Sequence, residues 1–245
     1  MERRFTSTTG PEEIHLWATP LFPSTTVNPH DWANLGQQEV ERAKRFHFEE
    51  HRARFVQSHA FLRRVLARYT GTPPAELAFD AGPFGKPALP DVPGCSRISF
   101  NLAHCDQFAL LGITSDNPIG VDVETVRPMP DLQQMSRQFF AKAEYEALAS
   151  IPGHQQDLAF FNCWTRKEAM IKAIGSGLSM PLDSFEVTLV PGEHARLLQL
   201  DGDAQASSAW HLRHLELAPD VVGALAVRFA IKRVDAFLVA SFPVA

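Results

Sequence analysis

The chain has 245 residues, of which 45% are apolar, and its formal net charge is −5 at pH 7. This length and composition predict one large domain or two small ones with a sizeable core, and they argue against disorder. The acidic balance argues against a nucleic-acid partner, and no apolar run approaches the roughly 20 residues needed to cross a membrane.

The first half of the sequence, 1–116, alternates between strand-like and helix-like patterns. Apolar residues recur at helical spacing before Gly71, which is a plausible helix stop. In chain order, the predicted elements are a strand at 14–18, helices at 37–46 and 51–69, a Gly- and Pro-rich loop at 81–87, and strands at 98–102 and 108–114. The turn at 116–118 is the candidate boundary between the halves.

The second half, 117–245, continues in the same way. Its predicted elements are a strand at 119–124, helices at 131–140, 143–150 and 156–174, and strands at 185–190, 210–217, 222–229 and 236–242. We expect these last strands to be antiparallel, because their connections are too short for crossover helices. The sequence therefore predicts an α+β fold of two halves, each with a small antiparallel sheet packed on helices.

The cysteines and the N-terminal residues bear on the cellular setting. Three cysteines without a CxxC spacing argue against a disulfide framework and against a zinc site. The first residues lack the apolar stretch of a signal peptide. We therefore expect a reduced, cytoplasmic environment.

Two carboxylates lie on the strand predicted at 119–124. Residues i and i+2 of a strand share a face, so Asp122 and Glu124 project the same way, with Cα atoms roughly 6–7 Å apart. Crowded carboxylates repel unless a cation lies between them, and a hard, oxygen-liganded ion such as Mg²⁺ suits this arrangement. The alternative is the solvated polar face of an edge strand.

A second charged group lies on the helix predicted at 156–174. Glu168 and Lys172 are four residues apart and share a face. In isolation they predict only an exposed pair, worth about 0.3–0.5 kcal/mol. The neighbouring aromatic residues indicate a mostly buried helix, however, and a wholly buried charge pair needs a partner such as a metal or a phosphate.

Two further positions carry groups that can meet a phosphate. Lys86 follows Gly85 on a rigid turn, where its amine suits a phosphate as a point charge; an exposed loop lysine is the alternative. His104 ends a strand and is either a phosphate donor or a core histidine. Cys105 follows it, but adjacent strand residues point to opposite faces, so a nucleophile–base pair is not expected.

The order of these motifs closely resembles the 4′-phosphopantetheinyl transferase superfamily, and in particular its large, Sfp-type branch. The resemblance covers roughly residues 40–190 and is carried by Gly85-Lys86-Pro87, Phe100-Asn101-Leu102-Ala103-His104, Gly120-Val121-Asp122-Val123-Glu124 and Trp164-Thr165-Arg166-Lys167-Glu168-Ala169-Met170-Ile171-Lys172. It implies a monomer in which two pseudo-symmetric halves enclose the site.

The resemblance also implies a metal site and a catalytic set. Asp122, Glu124 and Glu168 match the family's magnesium ligands. Lys172 matches the lysine that contacts the phosphates of coenzyme A. The implied catalytic residues are Glu168, Lys172 and Asp122.

The implied coenzyme A contacts are less sharply defined. Lys86 and His104 match contacts of the family, and Arg54 and Arg42 fall near basic positions that hold the nucleotide end. The family commonly has a serine before this histidine. Here Ala103 stands there, and alanine has no hydroxyl to offer a phosphate.

The implied activity moves the 4′-phosphopantetheine group of coenzyme A to a serine of an apo acyl or peptidyl carrier protein and releases 3′,5′-ADP. Such catalysis is mostly positioning and charge neutralisation. Glu168 is the best candidate to take the serine proton, although it is also an expected metal ligand. Two alternatives stay open: a magnesium-dependent hydrolase of phosphate esters or nucleotides, and an inactive carrier-binding module.

Overall fold

The computed structural model describes residues 9–22, 27–91, 96–203 and 205–239. The helices are α1 Pro29–Ala33, α2 Gln37–Lys44, α3 Glu49–Thr70, α4 Leu132–Phe139, α5 Lys142–Ser150 and α6 Gly153–Ile174. The strands are β1 Glu13–Pro20, β2 Asp80–Ala81, β3 Pro87–Ala88, β4 Ile98–His104, β5 Phe108–Ser115, β6 Ile119–Thr125, β7 Phe185–Val187, β8 Leu197–Leu200, β9 His211–Ala218, β10 Val221–Val227 and β11 Arg233–Leu238. No described helix is both long enough and apolar enough to span a membrane.

The strands form two larger sheets and two small hairpins. The larger sheets have the orders β11-β1-β5-β4 and β6-β10-β9, and the hairpins pair β2 with β3 and β7 with β8. Both long helices end where the sequence predicts, because Gly71 and Gly175 adopt a left-handed conformation with φ of 70° and 77°. The predicted α+β fold is confirmed, whereas α1 and the hairpins were not predicted.

The two larger sheets pack face to face and lie between the two long helices, α3 and α6. The side chains of each strand alternate between the two faces of its sheet. One face of the β1 sheet packs on α3 through residues such as Trp17 and Leu111. Its other face meets the odd-numbered residues of β6, including Val121. The opposite face of the β6 sheet packs on α6 through residues such as Ala224 of β10. Because β6 alternates, its even-numbered residues face α6.

The direction predicted for the last strand was wrong. β11 runs parallel to β1, with Leu16 opposite Ala236. Its partner is β1, the first described strand, and not the preceding strand β10, so the short connection from β10 does not set its direction. The part of the predicted strand beyond residue 239 lies outside the described residues. The division at residue 116 stays a prediction.

The Gly- and Pro-rich loop at 81–87 folds into a tight hairpin. The N–H of Gly82 donates to the carbonyl of Lys86 at 2.8 Å. At its tip, Phe84 and Gly85 have φ of 59° and 80°, so a non-glycine residue adopts the left-handed region there. This tip presents the Phe84 ring to solvent, with 71% of the residue exposed.

Candidate active site

The close approach of β6 to α6 depends on a glycine. A Cβ atom on Gly120 would collide with the backbone of Ala169 and Ala173 in α6. Glycine therefore lets the strand lie directly against the helix. This contact brings Asp122, two residues further along the same face of β6, into reach of Lys172. The sequence signal was present, because Gly120 alternates with the two carboxylates on one face, but we had not predicted this role.

The central contact of the site is an ion pair between β6 and α6. Lys172 donates from Nζ to Oδ1 of Asp122 at 2.5 Å. Asp122 is only 6% exposed, and its second oxygen, Oδ2, is buried with no hydrogen-bond partner among the described residues. The local Glu168–Lys172 pair that the helical spacing allows is thus replaced by a pair across two elements.

Three carboxylates crowd this contact. Burial raises the pKa of Asp122 to about 7, against the attraction of Lys172 and with further upward contributions from the negative charges of Glu124 and Glu168. Burial also raises the pKa of Glu124. Across the described ranges, no group of three or more His, Cys, Asp or Glu side chains has the geometry of a metal site. The arrangement nevertheless leaves one buried oxygen of Asp122 without a donor in the described part of the chain.

A polar cavity of about 310 Å³ adjoins the carboxylates. It brings together Arg54, His104 and Glu124, which the sequence had singled out separately. It also contains two residues that sequence reasoning missed. Asp106 accepts from Arg54 at 2.6 Å, and Arg127 lies 3.7 Å from a carboxylate oxygen of Glu124.

The charge of Lys172 in the ion pair also acts on His104 in the wall of the cavity. The pKa of His104 is lowered by desolvation first, and then by the positive charges of Arg54, His59 and Lys172. A neutral imidazole beside several cations suits the binding of a polyanion, because it adds a donor without another buried charge. His104 itself is exposed, so it can meet a ligand.

The unpaired edge of β6 is held by two side chains from the first half of the chain. Lys86 donates from Nζ to the carbonyls of Ile119 at 2.9 Å and Lys172 at 2.6 Å. Asn101 accepts through Oδ1 from the N–H of Val121 at 2.8 Å. Burial, followed by repulsion from Lys172, lowers the pKa of Lys86 to about 8. The amine of Lys86 thus ties the hairpin to both elements that carry the site.

Two family models match consecutive parts of the chain. The model of the 4′-phosphopantetheinyl transferase superfamily matches residues 118–230, and that of the 4′-phosphopantetheinyl transferase N-terminal region matches residues 23–115. The 4′-phosphopantetheinyl transferase HetI of Nostoc is 40% identical over 218 residues, which cover 88% of each chain. The chain belongs to the 4′-phosphopantetheinyl transferase superfamily.

The chain is also similar to two further proteins. The transferase Sfp of Bacillus subtilis is 32% identical over 155 residues, which cover 63% of this chain and 66% of that protein. The crystal structure of the holo-[acyl-carrier-protein] synthase of Thermotoga maritima matches with 18% identity and a TM-score of 0.33, covering 46% of this chain and 62% of that one. The sequence matches confirm the predicted superfamily and its Sfp-type branch, so the chain is a 4′-phosphopantetheinyl transferase.

The remaining coenzyme A contacts predicted for this transferase lie apart from the polar cavity. Lys86 borders a second cavity of about 480 Å³, together with Phe84 and Ile174. Arg42 is exposed, with its guanidinium 5.1 Å from the centre of the Phe55 ring. Neither of these two cavities includes Arg42 among its described lining residues. The roles of Lys86 and Arg42 toward coenzyme A stay predictions.

The far side of α6 carries a second ion pair, which is fully buried. Lys167 donates from Nζ to Oε2 of Glu144 at 2.7 Å and to the carbonyls of Leu182 and Phe185 at 2.7 and 2.6 Å. Glu144 in turn accepts from two backbone N–H groups, those of Ala141 and Val187. The motif residue before Glu168 therefore holds α6 to α5 and to the start of β7.

Proposed function

We propose that this transferase moves the 4′-phosphopantetheine group of coenzyme A onto a serine hydroxyl of an apo acyl or peptidyl carrier protein, at the site between β6 and α6. The serine oxygen forms a bond to the phosphorus that carries the pantetheine, and the bridging P–O bond of the pyrophosphate breaks. The leaving group is 3′,5′-ADP. Family membership supports the reaction, and the paired but unsatisfied Asp122 supports the location.

The carboxylates of the site fit a divalent cation. The buried Oδ2 of Asp122 has no donor within the described part of the chain, and Glu124 and Glu168 are near enough to raise the pKa of Asp122. A hard cation would satisfy this oxygen and neutralise the crowded charges, so we assign Asp122, Glu124 and Glu168 as the Mg²⁺ ligands. When bound, Mg²⁺ supplies charge neutralisation and polarises the phosphate under attack.

The other side chains bind and orient the pyrophosphate. Lys172 contacts Asp122 and its charge also acts on His104, so we assign its ammonium to the negative charge that grows as the P–O bond breaks. His104 and Arg54 donate to phosphate oxygens from the wall of the polar cavity. Glu168, partly exposed on the same helix, takes the proton of the attacking serine directly or through water.

The second cavity is suited to the nucleotide end of coenzyme A. It lies beside the hairpin tip, where Phe84 offers an exposed aromatic face and Arg97 a cation. An adenine ring stacks on such a face and a 3′-phosphate attracts a cation. Ala103, which stands where the family commonly has a serine, is buried and supplies no hydroxyl to a phosphate.

We further propose that the enzyme works as a monomer in the cytoplasm. Cys105 and Cys163 are free and buried, as expected of a reduced compartment, whereas Cys95 lies outside the described residues. The physiological carrier is to be identified by experiment, because fatty-acid, polyketide and nonribosomal-peptide carriers all present a serine to this reaction.

The decisive test incubates the purified chain with coenzyme A, Mg²⁺ and a panel of apo carriers from these three systems. We expect intact-mass spectrometry to show the gain of one phosphopantetheine group on at least one carrier and none on its serine-to-alanine variant. Failure with every carrier, together with hydrolysis of simple phosphate esters, would favour the hydrolase alternative. Carrier binding without mass gain would favour the inactive binding module.

A further inference from the structure

A third cavity lies on the face of α6 that the proposed reaction does not use. It has a volume of about 540 Å³ and lies between α6, the turn at 191–195 and β9. Asn162 and Arg166 line it from α6, and they share a face because they are four residues apart. Glu168 is only two residues beyond Arg166, which places it on nearly the opposite side of the helix. The cavity is therefore separate from the transfer site.

Arg166 is a buried cation whose described hydrogen bonds all go to neutral groups, although the negative charge of Glu193, another residue of the cavity lining, also acts on it. The residue is 1% exposed. Its Nη1 donates to the carbonyl and the hydroxyl of Thr188 at 2.5 and 3.1 Å, whereas Nη2 has only a long 3.5 Å contact to the carbonyl of Glu193. Its Nε has no partner among the described residues. One edge of the guanidinium, formed by Nε and Nη2, is thus almost unused.

Unmatched polar atoms lie near this edge, buried beneath the cavity wall. Asn162 is 2% exposed and donates from Nδ2 to the carbonyl of Leu189 at 3.3 Å. Its Oδ1 is a buried acceptor without a donor in the described ranges, and Nδ1 of His214 likewise has no partner there. Buried polar atoms are nearly always paired, so three unpaired atoms around one cavity point to a missing polar group.

We propose that this cavity binds a small carboxylate that carries a neighbouring hydroxyl or amino group. A carboxylate accepts two parallel hydrogen bonds from one edge of a guanidinium and would supply the charged acceptor that this edge of Arg166 lacks among the described residues. A hydroxyl or amino group beside it donates to Oδ1 of Asn162. Since Nε and Oδ1 are covered, the ligand enters by displacing the turn at Glu193, which holds Arg166 by its longest contact.

Three acids of equal length separate the parts of this proposal. Propionate has the carboxylate alone, L-lactate adds a hydroxyl and L-alanine adds an amino group. Titration of ¹⁵N-labelled protein, read at the Arg166 Nε–H resonance, should show saturable binding of lactate or alanine at least about 10-fold tighter than that of propionate. Whichever acid binds more tightly identifies the donor as a hydroxyl or an amino group.

The matched variant is Asn162→Leu, which removes the acceptor and keeps a similar volume. It should bind all three acids with the affinity of propionate while its transferase activity stays at the wild-type level. Equal affinities for the three acids in the wild type would overturn the proposal. So would the absence of any saturable shift up to about 50 mM acid, which would leave a bound water as the missing group. The wild-type series alone decides the matter if the variant does not fold.

Discussion

Two lysines on α6, five positions apart, form ion pairs with opposite characters. Lys167 is completely buried and its partner Glu144 is 2% exposed at the side chain. Lys172 keeps 29% of its side chain exposed, and its partner Asp122 retains an oxygen without a donor among the described residues. In the Lys167–Glu144 pair, which we call the closed pair, both side chains also hydrogen-bond to backbone groups. In the Lys172–Asp122 pair, the open pair, one carboxylate oxygen has no donor among the described residues.

The difference separates a structural role from a chemical one. A buried pair with every hydrogen bond made has nothing left to offer a ligand, and breaking it strands a charge in the core. An incomplete pair leaves one polar atom, here Oδ2 of Asp122, available to bind a ligand such as a cation. The same short motif thus supplies both Lys167, which holds the helix in place, and Lys172, which we propose takes part in the reaction.

The largest effect is expected at the open pair. Asp122→Asn keeps the shape of the side chain but removes its charge, so we expect the rate of phosphopantetheine transfer to fall about 10³-fold. The free energy of unfolding should not decrease, because a buried carboxylate with a raised pKa is replaced by a neutral group. Initial rates with coenzyme A and an apo carrier, with urea denaturation as the control, test this. A variant within tenfold of the wild-type rate would contradict the site assignment.

The closed pair should respond in the opposite way. Lys167→Met leaves Glu144 unpaired in the core and should lower the free energy of unfolding by about 3–5 kcal/mol. Lys172→Met is the matched control on the same helix. It should lose transfer activity but unfold at nearly the wild-type urea concentration, because Asp122 can take up a proton. Equal destabilisation by the two variants would show that the pairs do not differ in kind.

Lys86 tests whether a residue near the open pair binds substrate or holds the site together. Lys86→Met removes the donor to the carbonyls of Ile119 and Lys172, so we expect the free energy of unfolding to fall by about 1–3 kcal/mol without coenzyme A. The measurement is urea denaturation of the ligand-free protein. An unchanged stability with a raised KM for coenzyme A would instead support the phosphate contact that the family resemblance implies.

The subtlest test follows the proton of Asp122. Its pKa in the fold, about 7, lies above its ordinary value of 3.8. The fold therefore binds this proton more tightly than the unfolded chain, so protonation stabilises the fold below pH 3.8 and this contribution is lost as the pH rises to about 7. The free energy of unfolding of the wild type minus that of Asp122→Asn should fall across that window.

Mg²⁺ provides the control for the pH experiment. The ion favours the ionised carboxylate, so its addition should shift the decline toward lower pH. A difference between the two proteins that is constant from pH 4 to pH 7 would show that Asp122 does not titrate there.

The shared face of the two strand carboxylates was readable from the sequence because it depends on local periodicity. Strand alternation places Asp122 and Glu124 on one face, and the structure shows that this face of β6 is turned toward α6. The aromatic residues near Glu168 likewise indicated a mostly buried helix. The family resemblance then joined these two elements, which local patterns alone do not place next to each other.

The remaining features depend on contacts between distant parts of the chain. No local pattern shows that the amine of Lys86 donates to two backbone carbonyls, or that Asp106 pairs with Arg54 in the cavity wall. The parallel pairing of β11 with β1 was not predicted for the same reason. Connection length constrains neighbouring strands, but it carries no information about a strand that returns to the start of the fold.

This returning strand has a consequence for biosynthesis. β1 ends at residue 20, yet its parallel partner begins only at residue 233. At a translation rate of about 5–20 residues per second, one edge of β1 waits roughly 10–40 s for its partner to be made. An unpaired strand edge is a template for association with other chains, so the nascent protein is most exposed to aggregation during this interval. Slowing or stalling the ribosome between these segments lengthens that exposure, whereas a chaperone that covers β1 shortens it.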